Sequence, residues 1–258
     1  MRLSGFSTVN GGLPAWPAWV GAGHRRRVDP LTRVACAAVA GLEGSTTLPA
    51  ETALVVATAY GAVESTWRFA TSIADFGDAG ASPTPFTASV HNSCAGALGE
   101  LLHLHGPCTT LCQGGHATTA ALRWADLMLH SGRAPMVLLV LADHHNAWSR
   151  PMINELTASP WPLGDGAVAL LVEPGDGPGR ELRWGDHAAD LVISSGTPDP
   201  EDAAMLANAR CSAELLNAWW PGCALAGVSA AEWRSPLTLQ VRECEDRIVQ
   251  SAWLGPWR

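Results

Sequence analysis

The sequence predicts an α/β protein built around a largely parallel sheet, and three observations carry that expectation. Residues 136–141 are continuously apolar, and 54–59 are apolar but for Thr58, as strands covered on both faces of a parallel sheet are. Residues 86–143 read as helix, strand, tight turn, helix, strand, the alternation from which such sheets are assembled. The chain has 258 residues, 47% of them hydrophobic and only 16% charged. That balance suits a large core together with surface covered by a partner, and it favours an oligomer.

Each element has a local justification. Residues 1–20 open as a short strand and continue into a loop rich in glycine, proline and tryptophan. Trp16 and Trp19 in that loop read either as anchors for a partner or as cover for the rim of the protein's own sheet. Arg25, Arg26 and Arg27 lead into Asp29-Pro30, an N-cap followed by proline at the first helical position, so a helix is expected over 31–42. The strand at 54–59 runs into Gly61, which permits a tight turn into a helix over 67–73, and 75–85 read as loop.

A helix starting at Asn92 leads to Gly106-Pro107, a strand over 109–112, the turn Cys112-Gln113-Gly114-Gly115-His116 and a second helix. Ser131-Gly132-Arg133 then precedes the strand at 136–141. Residues 143–148 end that strand and begin a polar loop expected to run past Pro151, and Gly164-Asp165-Gly166 introduces a strand over 167–173. The glycine-rich residues 174–178 are the expected joint between an N-terminal half, 1–173, and a shortened C-terminal half, 174–258. A strand over 190–193, an acidic helix start at 199–202 and a last helix over 235–249 complete the second half.

Net charge is −8, from 24 acidic and 16 basic residues, which argues against nucleic acid as a partner. Seven cysteines are scattered singly with no CxxC pair, so reduced thiols in a cytoplasmic protein are expected. With neither a leader pattern nor an apolar run of about 18 residues, no membrane association is expected.

Chemistry is expected at the turn after the strand at 109–112. Free backbone N–H groups and the helix dipole converge there, and a nucleophile would be activated. The chain places Gly114 and Gly115 at that point. Cys112 and His116, one helical turn apart, form an alternative nucleophile and base; the competing reading is a small buried residue and a polar group at a helix start. His144 and His145 follow the neighbouring strand and read either as a base for Cys112 or as loop residues with local hydrogen bonds. No second ligand pair at zinc spacing accompanies them, so neither metal nor cofactor is expected. Thr118 and Thr119, among alanines, give the following helix a small-residue face suited to close packing against the sheet or across a dimer.

This order of elements resembles the β-ketoacyl synthases of the thiolase superfamily. The match runs through Asn92, Gly106-Pro107, the strand ending at Cys112, the Gly-Gly turn, Ser131-Gly132-Arg133 and the strand at 136–141, and through the Gly164-Asp165-Gly166 turn. The resemblance implies a thiolase-like fold with α/β/α/β/α layers and two related halves, the second abbreviated and lacking the long glycine-rich C-terminal strand region of a full-length synthase. It also implies a site. Counting from Gly106-Pro107 forward, or from Ser131-Gly132 backward, puts the family's catalytic cysteine at Gly115. Ser195 occupies the position of one catalytic histidine, and the segment at 226–230 contains no counterpart of the other. Condensation needs a thiolate to hold the acyl chain and two imidazoles to stabilise charge on the extender oxygen.

A scaffold kept without that set resembles the chain length factors, non-catalytic subunits that pair with an active β-ketoacyl synthase, shape its acyl tunnel and meet its acyl carrier protein, whose acyl chain is phosphopantetheine-linked. Ser89-Val90-His91-Asn92 is similar to the members found in aryl polyene pathways. Gln113 is similar to the glutamine that replaces the cysteine in chain length factors, although it lies two positions before the counted site. The alternatives are a diverged acyltransferase or thioesterase using Cys112 with His116 or His145, and a homodimeric acyl-binding or scaffold protein.

Overall fold

The computed structural model describes residues 1–42, 47–157, 164–175, 177–185, 187, 189–196, 222, 225, 228–245 and 248–258. The chain opens with β1 (Arg2–Asn10) and the one-turn helix α1 (Ala22–Arg25). Trp16 and Trp19 pack against the outer core, with the Arg33 guanidinium 5.5 Å from the Trp16 ring centre, so they cover the rim of this chain's own sheet. Helix α2 (Pro30–Ala40) starts as expected: Asp29 Oδ1 accepts from Thr32 N at 2.8 Å and from Thr32 Oγ1 at 2.6 Å.

Strand β2 (Ala53–Thr58) is buried along its whole length. Helix α3 (Val63–Phe76) is longer than the 67–73 expected, because Gly61 at φ +61° completes the turn within a few residues of the strand. The loop expected at 75–85 instead holds a 3₁₀ turn (Asp78–Gly80) and the start of α4 (Pro83–Ala88); proline in a first helical turn forfeits no intrahelical bond. Next come α5 (Ser93–Leu101), β3 (Cys108–Cys112), α6 (Ala117–His130) and β4 (Val137–Asp143). The polar loop after β4 ends earlier than expected, at α7 (Ser149–Thr157), since the Asn146 side chain accepts from both Trp148 N and Ser149 N and nucleates the turn. Pro151 falls in its first turn.

The first half of the sheet follows from the apolar runs. β2 lies parallel to β3 and to β4, with Val55 level with Thr109 on one side and Leu139 on the other. β4 pairs antiparallel with β5 (Gly166–Glu173), and β5 antiparallel with β1. The remaining strands are β6 (Arg180–Trp184), which the sequence reading did not assign, then β7 (Leu191–Gly196), β8 (Leu239–Glu245) and β9 (Ile248–Leu254), with the short helix α8 (Ala230–Trp233) before β8. β6 pairs antiparallel with β9, β9 antiparallel with β8, and β8 parallel with β7. That is the pattern of β1, β5, β4 and β2 repeated; among the described residues nothing corresponds to β3. Two residue pairs, Arg2 with Glu181 and Leu3 with Arg180, join the sets into one sheet ordered β3-β2-β4-β5-β1-β6-β9-β8-β7.

The helix expected over 235–249 is therefore two strands. Leu239, Val241 and Glu243 alternate inward, and Leu239 and Val241 face Leu254 and Ala252 across the β8–β9 ladder. Gln240 and Arg242, which lie between them, are buried as well, so both faces of β8 are covered, and pairing with β7 and β9 overrides the helical pattern of the sequence. The acidic helix start at 199–202, with Thr197 and Pro198, lies outside the described residues.

The two faces of the first half carry separate cores. Leu54, Val56, Leu138 and Val140 pack outward with α2 and α5, whereas Val55, Ala57, Leu139 and Leu141 pack inward against Ala121, Leu122 and Ala125 of α6. The inward core continues to Leu239, Val241, Ala252 and Leu254, so α6 is a middle layer between the two sets of strands. Its small-residue face packs inside this chain.

Candidate functional site

The turn between β3 and α6 is shaped by glycine. Gln113 leaves the strand at φ −136°, ψ 35°, Gly114 adopts φ +52°, and Gly114–His116 form a single 3₁₀ turn before α6 begins at Ala117. A left-handed Gly114 allows the chain to reverse within two residues of the sheet. Gly115 is buried. The point at which strand end and helix N-terminus meet thus carries two residues without side chains, flanked by Cys112 and His116.

The N–H groups of the first turn of α6 have an internal partner. Thr118 N donates to Glu243 Oε1 at 3.0 Å, Thr119 N to Glu243 Oε2 at 2.8 Å, and Thr119 Oγ1 lies 2.7 Å from Glu243 Oε2. Thr119 Oγ1 is also 2.9 Å from Gln250 Oε1, and Gly222 N donates to Thr118 Oγ1 at 2.9 Å. Glu243 is fully buried, and burial pushes its carboxyl up while the Thr118 and Thr119 donors draw it part of the way back. A carboxylate from β8 occupies the electropositive end of α6. In the β7–β8 ladder Glu243 is level with Ser195.

Sequence reading missed Glu243 because it placed the residue in a helix. The signal was present: Leu239 and Val241 precede it at period two, which puts position 243 on the same inward face.

The alternative nucleophile sits differently. Cys112 Sγ donates to Ala59 O at 3.2 Å, and its thiol is raised by burial first and by the nearby Asp143 charge second, the opposite of the shift that makes a thiolate reactive at neutral pH. No hydrogen bond joins Cys112 to His116 or His145; His116 Nδ1 is buried without a partner.

His145 is buried edge-on against Tyr60, at 5.5 Å between ring centres, with its backbone N–H donating to Asp165 Oδ1 at 2.7 Å. Burial, then Arg150 and His144, push it down to about 3, so it stays neutral at physiological pH. His144 stands 3.8 Å from Glu64 Oε2 and 3.9 Å from Asp165 Oδ1, and Arg150 pairs with Asp165.

Beneath them Asp143 accepts from Thr58 Oγ1 at 2.5 Å and Ala59 N at 2.9 Å, and is raised to about 7 by burial, which outweighs those bonds. Thr58 Oγ1 in turn accepts from Gly61 N at 2.9 Å. Asp143 therefore braces the β2–α3 turn. Among the described residues no group of three or more His, Cys, Asp or Glu could hold a metal ion.

The repeated strand pattern, the buried middle helix and the strand-to-helix turn at its N-terminus define a thiolase-like α/β protein. Residues 8–221 match the family described as β-ketoacyl synthase, N-terminal domain, and the chain belongs to that family. The fold is similar to that in a structure of the ishigamide ketosynthase/chain length factor, with 19% identity and a TM-score of 0.77 over 100% of this chain and 99% of that one. It is similar also to a structure of the ketosynthase ApeO in complex with its chain length factor ApeC from Xenorhabdus doucetiae, with 18% identity and a TM-score of 0.59 over 98% and 99%. A third structure, the ketosynthase AntDE with the acyl carrier protein AntF, gives 13% identity and a TM-score of 0.71 over the full length of both chains. No curated protein matches the sequence.

Proposed function

We propose that this protein is a chain length factor, a subunit that pairs with an active β-ketoacyl synthase and shapes the tunnel in which the acyl chain grows. One observation carries the reading: the turn that would present a nucleophile holds Gly114 and Gly115, and the N-terminus of α6 behind it is taken by Glu243. The chain then contributes shape, and condensation takes place on the partner, which receives its substrates from an acyl carrier protein. Ser195 in place of a histidine and a Cys112 thiol held in its neutral form support the same conclusion.

The surface is suited to a partner. The outer edge of β3 ends the sheet, and Trp67, Phe76, Phe86 and Val90 are 46%, 71%, 54% and 51% exposed on and beside α3 and α4. An unpaired edge and a group of exposed apolar side chains are features that association covers. In this reading the protein is cytoplasmic and serves an aryl polyene type of pathway, and its two halves divide after Glu173. Among the described residues no helix is long and apolar enough to cross a membrane.

The test is co-expression with a candidate β-ketoacyl synthase, exposure of the purified complex to an acyl carrier thioester, and intact-mass measurement of each chain. Acyl adduct on the partner alone, in a one-to-one complex, is the expected result. Adduct on this chain, lost in Cys112→Ala, would establish an acyltransferase or thioesterase instead, and a stable homodimer indifferent to the synthase would establish a scaffold.

A further inference from the structure

His144, just past the end of β4, is held between two carboxylates. Its side chain is 10% exposed, with Nε2 3.8 Å from Glu64 Oε2 on α3 and Nδ1 3.9 Å from Asp165 Oδ1 ahead of β5. Asp165 is fixed in place: its Oδ1 accepts from His145 N at 2.7 Å, its Oδ2 pairs with Arg150, and its carbonyl accepts from Gly11 N at 3.0 Å. His144 Nδ1 and Glu64 Oε2 are both buried, and neither has a hydrogen-bond partner. The other ionisable groups around the ring are Asp143 next to it on β4, the neutral His145, Arg150 on α7, and Asp29 at the start of α2. Burial raises the Asp29 carboxyl, and Glu64 and His144 act on it more weakly. Carboxyl groups predominate around this imidazole.

A neutral imidazole carries one N–H and one lone pair. In either tautomer one nitrogen of His144 turns its lone pair on a carboxylate oxygen, so only the ring with both nitrogens protonated sits there without repulsion. The two contacts stand about 1 Å beyond hydrogen-bond length, close enough for unit charges to attract strongly at a buried site. We infer that His144 is a proton-operated clasp between α3 and the segment ahead of β5. With its proton it draws Glu64 and Asp165 together and seats the first turn of α3; without it the two carboxylates repel and that turn loosens. Trp67, one turn beyond Glu64, stacks on Trp148 at 4.2 Å between ring centres, so the same part of α3 also carries its contact with the loop before α7. The contribution of the clasp to stability is present at low pH and is lost as pH rises through the titration of the ring. The device needs neither a partner nor a tunnel.

The experiment uses the full chain carrying Asp143→Asn throughout, which removes the neighbouring carboxyl that burial raises to about 7. Urea unfolding is followed from about pH 5 to about pH 8, where histidines titrate. His144→Gln is expected to raise the unfolding constant about tenfold at the acid end, the factor that one charge-assisted hydrogen bond is worth, and to change it little at the alkaline end. Glu64→Gln should reproduce the loss at the acid end and add nothing to His144→Gln. Amide exchange reads the clasp locally at Trp67 and at Thr66, whose N–H donates to Ala62 O at 2.9 Å. Protection there, corrected for the intrinsic exchange rate, should fall about tenfold from the acid to the alkaline end and stay low throughout in His144→Gln.

An effect of His144→Gln that is equal at both ends of the range overturns the inference, as do additive effects of Glu64→Gln and His144→Gln, or protection of α3 that ignores pH. Should the variants not fold, NMR on the wild-type chain decides. Thr66 and Trp67 amide shifts that track protonation of the His144 ring nitrogens support the clasp, and shifts that track only the Asp143 carboxyl overturn it.

Discussion

Replacing Glu243 with leucine keeps most of the buried volume and removes the acceptor for three donors: Thr118 N, Thr119 N and Thr119 Oγ1. The threonine hydroxyl retains Gln250 Oε1 at 2.9 Å, so two backbone N–H groups are left without partners. A buried orphaned donor costs about 1–3 kcal/mol, and the lost favourable placement of an anion at a helix N-terminus adds about 1 kcal/mol. Relief from burying a carboxylate offsets part of this. The net expectation is a loss of about 3 kcal/mol for Glu243→Leu, a large share of the ~5–15 kcal/mol typical of a folded domain.

Glu243→Gln keeps one acceptor oxygen and should lose about 1 kcal/mol. Burial raises the folded carboxyl, so wild-type stability is greatest below the unfolded value of 4.5 and falls as pH rises towards the folded pKa. The penalty of the leucine variant should therefore shrink with rising pH. Urea unfolding of the three proteins from about pH 4 to about pH 8, the range in which the buried carboxyl titrates, is the assay. A leucine variant as stable as wild type, or a glutamine variant worse than the leucine one, would refute the claim that Glu243 serves as the anion of the α6 N-terminus.

Other outcomes follow from the same geometry. Arg180 is fully buried and donates to the carbonyls of Trp233, Leu237, Gly255, Glu232 and Ser235. Arg180→Met should cost about 4 kcal/mol by urea unfolding, and Arg180→Lys should rescue little, because an ammonium cannot span a fan of five acceptors; a neutral effect would sink the idea that this side chain holds the loop after α8 to β6. Asp143 is raised to about 7 by burial, so it destabilises the wild type progressively as pH rises from about 4 to about 7. The melting temperature of Asp143→Asn minus that of wild type should climb across that window and level off above it, and a flat difference would contradict the assignment. Gly61→Ala places a methyl on the His91 ring at a left-handed backbone position; it should lose at least ~1–2 kcal/mol and lengthen α3 no further, as circular dichroism and thermal melts would show.

Local sequence determined much of this protein. The apolar runs at 54–59 and 136–141 read as buried strands, Asp29-Pro30 reads as a helix start, and Gly114 and Gly115 bring no side chain to the turn after β3. Tertiary structure decided the rest. Residues 235–249 carry enough charge to pass for a helix, and β8 and the start of β9 form there instead because only so can Leu239 and Val241 reach the core beneath α6. Thr118 and Thr119 looked like a packing face, and they are donors because Glu243, 124 residues further along from Thr119, lies opposite. Such pairings hinge on which groups are brought together once water is excluded, and a chain read one residue after another carries no record of distance in space.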